Sequence, residues 1–252
     1  MKKTLIVLSL CALFCGCKKD WGDPTTRNYP INSGFTGLEV SDAFQVTVSD
    51  QVSDVVVTVG DLAHNKVVVE VKNYKLHIGF KPNVKYNGVA TAVIPATILY
   101  ELNLSGASSF TGNLEGYIVD IDLSGASIYK GNISADRVDF DFSGASTYTG
   151  AVDAYKVFVN LSGASNITAE GTCHTFMEIS LSGASQLKAA NLETPAVHGN
   201  MSGGSYAEVT CCSSLNVELS GGSTLIYETI SEDCHPVIDC PSSGGSSVRP
   251  RN

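Results

Sequence analysis

The chain has 252 residues, with 16 Lys or Arg against 25 Asp or Glu and a formal net charge of −9. An acidic chain with no basic cluster argues against nucleic acid as a partner, because phosphate backbones are held by clustered cations. The length is ordinary for one β domain.

Residues 1–16 read as a leader. Lys2 and Lys3 give a charged start, and Leu5 to Phe14 form an apolar run too short to span a bilayer. The run ends in Leu13-Phe-Cys-Gly-Cys17, and a small residue directly before a Cys resembles a bacterial lipoprotein cleavage site. Cys17 is therefore the expected lipid attachment point, which would tie the protein to the outer membrane without a transmembrane helix. An ordinary secretory cut near the same place is the competing reading. Loss of Lys2 and Lys3 with the leader takes the net charge from −9 to −11.

Residues 17–33 hold Asp20, Gly22, Asp23, Pro24, Thr25, Thr26, Asn28 and Pro30 and read as a tether. Trp21, the single Trp, falls here as a loosely packed linker residue or a membrane-interface contact.

Residues 34–95 are β-rich without repetition. Strands are predicted over Phe35–Val40, Phe44–Val48, Val55–Val59, Val67–Lys72 and Lys75–Phe80. Asp61 to Asn65 suggests one helical turn capped by Asp61. A solenoid needs covered ends, so this region is assigned as the N-terminal cap and first coils of a single domain, 34–247.

From residue 96 to 247 one phrase dominates. It runs Leu104-Ser-Gly-Ala-Ser108, Leu123-Ser-Gly-Ala-Ser127, Phe142-Ser-Gly-Ala-Ser146, Leu161-Ser-Gly-Ala-Ser165 and Leu181-Ser-Gly-Ala-Ser185. Met201-Ser-Gly-Gly-Ser205, Leu219-Ser-Gly-Gly-Ser223 and a degenerate Ser242-Ser-Gly-Gly-Ser246 follow. Successive first serines are 19, 19, 19, 20, 20, 18 and 23 residues apart, which means stacked copies of one unit.

Before each motif the chain alternates, as in Val119, Ile121 and Leu123 against Asp120, Asp122 and Ser124, the mark of a strand with one buried face. A second short strand follows the motif, as in Ser127-Ile-Tyr-Lys130. Two strands and their turns in so few residues fit one coil of a parallel β-helix, and a right-handed one by analogy with helices of this coil length. A β-sandwich or meander with a repetitive sequence is the alternative. Equal positions would form inner ladders such as Val119/Val138/Val157/Met177 and Leu123/Phe142/Leu161/Leu181. Residues 248–252 are left as a tail.

If the coils stack, Asp120 sits over Asp139, and Asp122 over Asp141, with Asn160 next along. Such a ladder offers oxygen ligands to a hard cation such as Ca²⁺; a solvated acidic face that keeps the protein soluble is the competing reading. No cofactor is otherwise implied. The acids repeat along ladders instead of converging, and the motif serines recur without a paired His and acid, so no catalytic residue is assigned. The serine hydroxyls are expected to serve as turn hydrogen-bond partners. His198 is expected outward and solvated.

Beyond the leader and Cys17, the cysteines are Cys173, Cys211, Cys212, Cys234 and Cys240. An odd number leaves at least one unpaired. Counting from the motifs makes Cys211 and Cys234 ladder neighbours, and Cys234 with Cys240 is the rival pairing. Zinc is disfavoured, because the Cys-x-x-Cys spacing is absent.

Gly34-Phe-Thr-Gly-Leu-Glu-Val40, Val69-Glu-Val-Lys-Asn-Tyr-Lys-Leu-His-Ile78, Ile94-Pro95, the Leu-Ser-Gly repeats and His235-Pro-Val237 together resemble the putative auto-transporter adhesin, head GIN domain family. The resemblance covers about 35–247 and implies a β-helical fold and an adhesive role, with no catalytic residue carried over. The resulting expectation is an envelope protein whose rod binds a glycan or surface protein, with Phe110, Tyr129 and Tyr148 among the contact side chains. A periplasmic structural or sensing component and a carbohydrate-active enzyme are the rivals. Oligomeric state is left open.

Overall fold

The computed structural model describes residues 20–251. The leader and Cys17 therefore lie outside the described residues. The structure is 62% strand and 3% helix, and its parallel coils form a β-solenoid of about eight turns. Among the described residues no helix is long and apolar enough to cross a membrane.

Seven strands build the N-terminal end: β1 (Pro24–Tyr29), β2 (Gly37–Val40), β3 (Phe44–Ser49), β4 (Val55–Gly60), β5 (Val67–Lys72), β6 (Lys75–Phe80) and β7 (Ala90–Pro95). The first coil in the chain is not the first in space. β2 lies between β6 and the next coil, and β3 likewise beside β7, all parallel. The chain thus makes its second layer first and then turns back to lay the terminal layer outside it. Antiparallel strands finish the end: β5 pairs with β6, and β4 pairs with β7 and β1. Reversing direction at the last layer stops the parallel stack.

Part of the predicted tether belongs to this cap. β1 runs antiparallel to β4 from Pro24↔Gly60 to Tyr29↔Val55. Trp21 is only 7% exposed and packs 5.5 Å from the Tyr86 ring. The Pro and Thr residues that suggest a linker are also compatible with an edge strand. The turn after β4 is a 3₁₀ helix, Asp61–Lys66, preceded by Gly60 and without a side-chain cap. Asp61 does not cap it; its carboxylate pairs with Arg27 of β1 at 2.5 Å. Buried His64 bonds the Tyr29 hydroxyl and Thr25, fastening the same strand.

The repeats supply β8 (Glu101–Leu104), β9 (Ser109–Thr111), β10 (Leu114–Leu123), β11 (Ile128–Lys130), β12 (Ile133–Phe142), β13 (Thr147–Leu161), β14 (Asn166–Leu181), β15 (Gln186–Met201), β16 (Tyr206–Leu219), β17 (Thr224–Thr229), β18 (Val237–Asp239) and β19 (Ser247–Pro250). All pair in parallel, each coil on the last. Val119, Val138, Val157 and Met177 stack in register, as do Leu123, Phe142, Leu161 and Leu181. These eight are at most 1% exposed, so each contributes on the order of 1.5–3 kcal/mol by leaving water.

The motif is the corner between two such strands, and each residue in it has a reason. The first Ser amide donates to the apolar residue of the coil below, as Ser124 to Leu104 and Ser143 to Leu123, both at 2.9 Å. The Gly takes φ between 63° and 73°, where a β-carbon is disfavoured. At Gly144 a β-carbon would also fall 2.3 Å from the Gly125 carbonyl oxygen. The last Ser donates to the first Ser carbonyl in six copies, at 2.7 Å for Ser127 and 2.9 Å for Ser146. In those six the hydroxyls are turn partners, as expected, while the buried Ser108 and Ser205 hydroxyls have no partner.

The rod ends where β19 stacks on β17, so residues 248–250 are not a free tail. The Ser247 and Arg251 amides donate to the Ser223 and Tyr227 carbonyls, which puts the alternate position, Pro250, on the open edge without an N–H to offer. Pro236 and Pro241 break the same coil.

Candidate functional site

One continuous outer surface belongs to the sheet of β8, β10, β12, β13, β14, β15 and β16. Two ladders run along it. One is Glu101–Asp120–Asp139–Phe158–Glu178–His198–Asn216. The other is Asn103–Asp122–Asp141–Asn160–Ser180–Asn200–Glu218. All five residues expected to form an acidic face are brought together in the expected order: Asp120 over Asp139, Asp122 over Asp141, and Asn160 next.

Partial burial, followed by the hydrogen bond and charge of Asp139 and the charges of Glu101 and Asp122, raises the Asp120 carboxyl above its ordinary value. Asp122 is raised by partial burial, then by Asp141 and Glu101, with Lys75 opposing. The strip carries its own counter-charges. Arg137 reaches Asp139 at 2.8 Å and Lys75 reaches Glu101 at 2.5 Å. Asn160 donates to Asp141 at 3.4 Å. Among the described residues no three His, Cys, Asp or Glu side chains are grouped to hold a metal ion.

Beyond Asp139 the strip changes character. The Arg137 guanidinium lies 4.2 Å from the centre of the Phe158 ring, and the Lys156 ammonium 5.7 Å from Phe176. Phe158 and Phe176 meet edge to face at 5.7 Å, and Phe176 continues to His198 at 5.9 Å. His198 is thus half-buried beside an aromatic ring, not solvated among Asn neighbours. The alternation of Phe158 and Phe176 with inward Val157 and Met177 places both rings outward, a signal the repeat alone could have given.

The aromatic residues expected on the outside are inside. Phe110, Tyr129 and Tyr148 are each 0% exposed and stack at 5.7 and 5.1 Å. The last motif Ser points inward, so the residue two places on also does. Tyr148 donates to the Gly131 and Ala151 carbonyls at 3.1 and 3.2 Å, whereas the buried Tyr129 hydroxyl has no partner. Burial raises both phenols above the ordinary range.

The disulfide joins Cys212 to Cys234, with Cα atoms 4.8 Å apart. Neither expected pairing forms. Cys211 is fully buried in the ladder with Thr194 and Thr229, so it faces the core while Cys212 faces outward towards the last coil. Cys240 stays a thiol and donates to the Leu215 carbonyl at 3.6 Å. Burial, then the neighbouring Cys240, pushes the Cys211 thiol up to about 11.

The fold has solved counterparts. A putative adhesin from Parabacteroides distasonis superposes with a TM-score of 0.79 at 21% identity, covering 91% of this chain and 98% of that one. A putative lipid binding protein from the same species gives 0.73 at 19% identity over 92% and 98%. A putative adhesin from Parabacteroides merdae gives 0.73 at 16% identity over 92% and 97%. At these identities the likeness establishes the fold. No curated protein matches the chain. A family model described as putative auto-transporter adhesin, head GIN domain, matches residues 34–229, which hold β2 to β17. The chain belongs to that family.

Proposed function

We propose that this is a lipid-anchored envelope protein that presents its solenoid as a binding surface, an adhesin-type role without catalysis. The outer face of the β10–β16 sheet carries the reading. Its acids, cations and rings stand on a fixed lattice and pair with one another instead of converging on a cleft. Acid/base or nucleophilic chemistry needs groups aimed at one reacting atom. A rigid lattice suits many weak contacts, whose avidity grows with number. Cys17 is the anchor in this reading.

Proteinase treatment of intact cells, with lysed cells as the control for intrinsic resistance, tests it. Loss of the Ser105–Ser246 region on intact cells is the expected result. Protection until lysis would place the rod in the periplasm and replace adhesion with a structural or sensing role among envelope proteins. Cys17→Ala is expected to release the protein from the membrane fraction.

A further inference from the structure

Charge is divided unequally along the chain. Residues 18–100 hold 8 Lys or Arg and 8 Asp or Glu, whereas residues 101–252 hold 6 and 17, a net of −11. Residues 71–100 carry four Lys and no acid. In the cap, Lys72 pairs with Glu70 and Lys75 with Glu101, but among the described residues no ion pair uses Lys66, Lys81 or Lys85. Two of these three are held together: the Lys81 amide donates to the Lys66 carbonyl at 2.8 Å, and the Lys81 ammonium to the Asn65 carbonyl at 3.0 Å. Lys85 precedes Tyr86, whose hydroxyl accepts from the Gly60 amide at 2.8 Å, next to the start of the 3₁₀ helix. That helix joins β4 to β5, the antiparallel strands that close the stack, so the three cations lie at the end of the rod. Asp61, the acid of the helix, is already answered by Arg27. Apolar side chains stand among the cations: Leu62 is 59% exposed and Val89 66%. Both border Trp21. The Leu62 amide donates to the Trp21 carbonyl at 3.0 Å, and Val89 lines one hollow with Trp21 and Tyr86.

We propose that this end of the rod docks on an anionic bilayer surface, with Leu62 and Val89 entering the headgroup layer and Lys66, Lys81 and Lys85 meeting lipid phosphates; the inference rests on the lipid-anchored reading and names how the anchored rod stands. Exposed apolar side chains set among cations suit such an interface, because the apolar groups leave water while the cations are drawn to negative headgroups. Each cation near the surface is worth about a fivefold change in binding. The course of the chain favours the same end. Trp21 follows Cys17 by four residues, so trans peptide geometry keeps their Cα atoms within about 15 Å whatever path those residues take. The far end of the rod, about eight turns away at about 4.8 Å each, is beyond that reach. A lipid on Cys17 therefore brings the bilayer to the end that carries the unpaired lysines. The acidic coils are repelled by the same headgroups and stand away from the membrane, which leaves the outer face of the β10–β16 sheet open to solvent.

Lysine footprinting of the protein, purified from membranes and returned to vesicles, tests the assignment. Vesicles of phosphatidylcholine alone are compared with a two-to-one mixture of phosphatidylcholine and phosphatidylglycerol. Each is treated with a neutral, water-soluble acetylating ester, and the modified lysines are mapped by mass spectrometry. Lys66, Lys81 and Lys85 should react about fivefold more slowly on the mixed vesicles, while Lys130 and Lys188, exposed on the coils, keep their rates. Leu62→Gln, Val89→Gln, Lys81→Gln and Lys85→Gln together, all at exposed positions, should return Lys66 to its rate on phosphatidylcholine with an unchanged melting temperature. The assignment falls if the five lysines respond alike, if none slows, or if Lys66 stays protected in the combined variant. The two readings fail separately. A lipidated Cys17 with no slowing at Lys81 and Lys85 would sink the docking and leave the anchor standing. An N-terminal peptide without acyl chains would sink the anchor, and flotation of that protein would still decide the docking: recovery with the mixed vesicles and not with phosphatidylcholine upholds it, and recovery with neither overturns it.

Discussion

Replacing Gly144 with Ala isolates what the motif glycine does. Gly144 has φ of 72°, which costs an L-residue roughly 1–2 kcal/mol. The new β-carbon would sit 2.3 Å from the Gly125 oxygen and 3.1 Å from its carbonyl carbon and nitrogen. That contact is with backbone, so two coils must part, and the 2.7 Å bond from Ala145 N–H to the same oxygen lengthens. A lost bond of this kind is worth about 1 kcal/mol, so the total is about 2–4 kcal/mol. Gly204→Ala is the matched control. Gly204 is the next residue in a later copy of the same motif, its φ is outside the left-handed region, and its β-carbon would lie 3.8 Å from the nearest oxygen. Five copies of the motif already carry Ala at that place. Its cost should stay within about 0.5 kcal/mol. Urea unfolding followed by far-ultraviolet circular dichroism compares the two, and for a chain of this size each 1 kcal/mol moves Tm by about 2–4 °C. Equal costs for Gly144→Ala and Gly204→Ala would refute the argument that stacking geometry, rather than small size at a turn, selects the glycine.

Tyr129→Phe removes a buried hydroxyl without a partner and should leave stability unchanged or raise it, while Tyr148→Phe removes a hydroxyl bonded to the Gly131 and Ala151 carbonyls and should cost about 1 kcal/mol; a larger loss for Tyr129→Phe than for Tyr148→Phe in the same urea experiment would contradict the packing described. Cys212→Ser should lower stability by about 3 kcal/mol through the loss of a bridge across 22 residues, and Cys211→Ser should leave that bridge intact in a peptide map. Asp120 and Asp122 are raised in the fold above their ordinary value of 3.8, so their burial favours the folded protein at low pH. Their contribution is fully present below 3.8 and is lost as pH rises through the raised values, so Asp120→Asn should gain stability relative to the parent as pH rises from acid to neutral. A variant that loses stability relative to the parent over that range would reverse the sign of this reasoning.

The repeat and its alternation were enough to place the core ladders, because period two and period nineteen together leave one side of each strand for the interior. The cap was harder. Nothing local in Gly37–Val40 tells it to lie between β6 and β8, since parallel pairing across such distances is decided by how the ends of the stack are closed. Trp21 and Pro24–Tyr29 look like a linker because an edge strand needs little apolar surface of its own. The cysteine error and the aromatic error share one cause. Counting positions between motifs gives proximity along the rod, but the face is set by parity. Parity had to be carried from the inward serine to Phe110, Tyr129 and Tyr148, and through β16 to separate Cys211 from Cys212.

That distinction also locates where function can be written on such a rod. A residue that repeats in every coil is answering a demand every coil shares, as the motif Ser and Gly do for the corner. Recognition of a particular ligand needs positions where the coils differ. The acidic strip varies gradually, from Asp120 and Asp139 to Phe158, and each change is answered by a neighbour on the same face: Arg137 covers both Asp139 and Phe158.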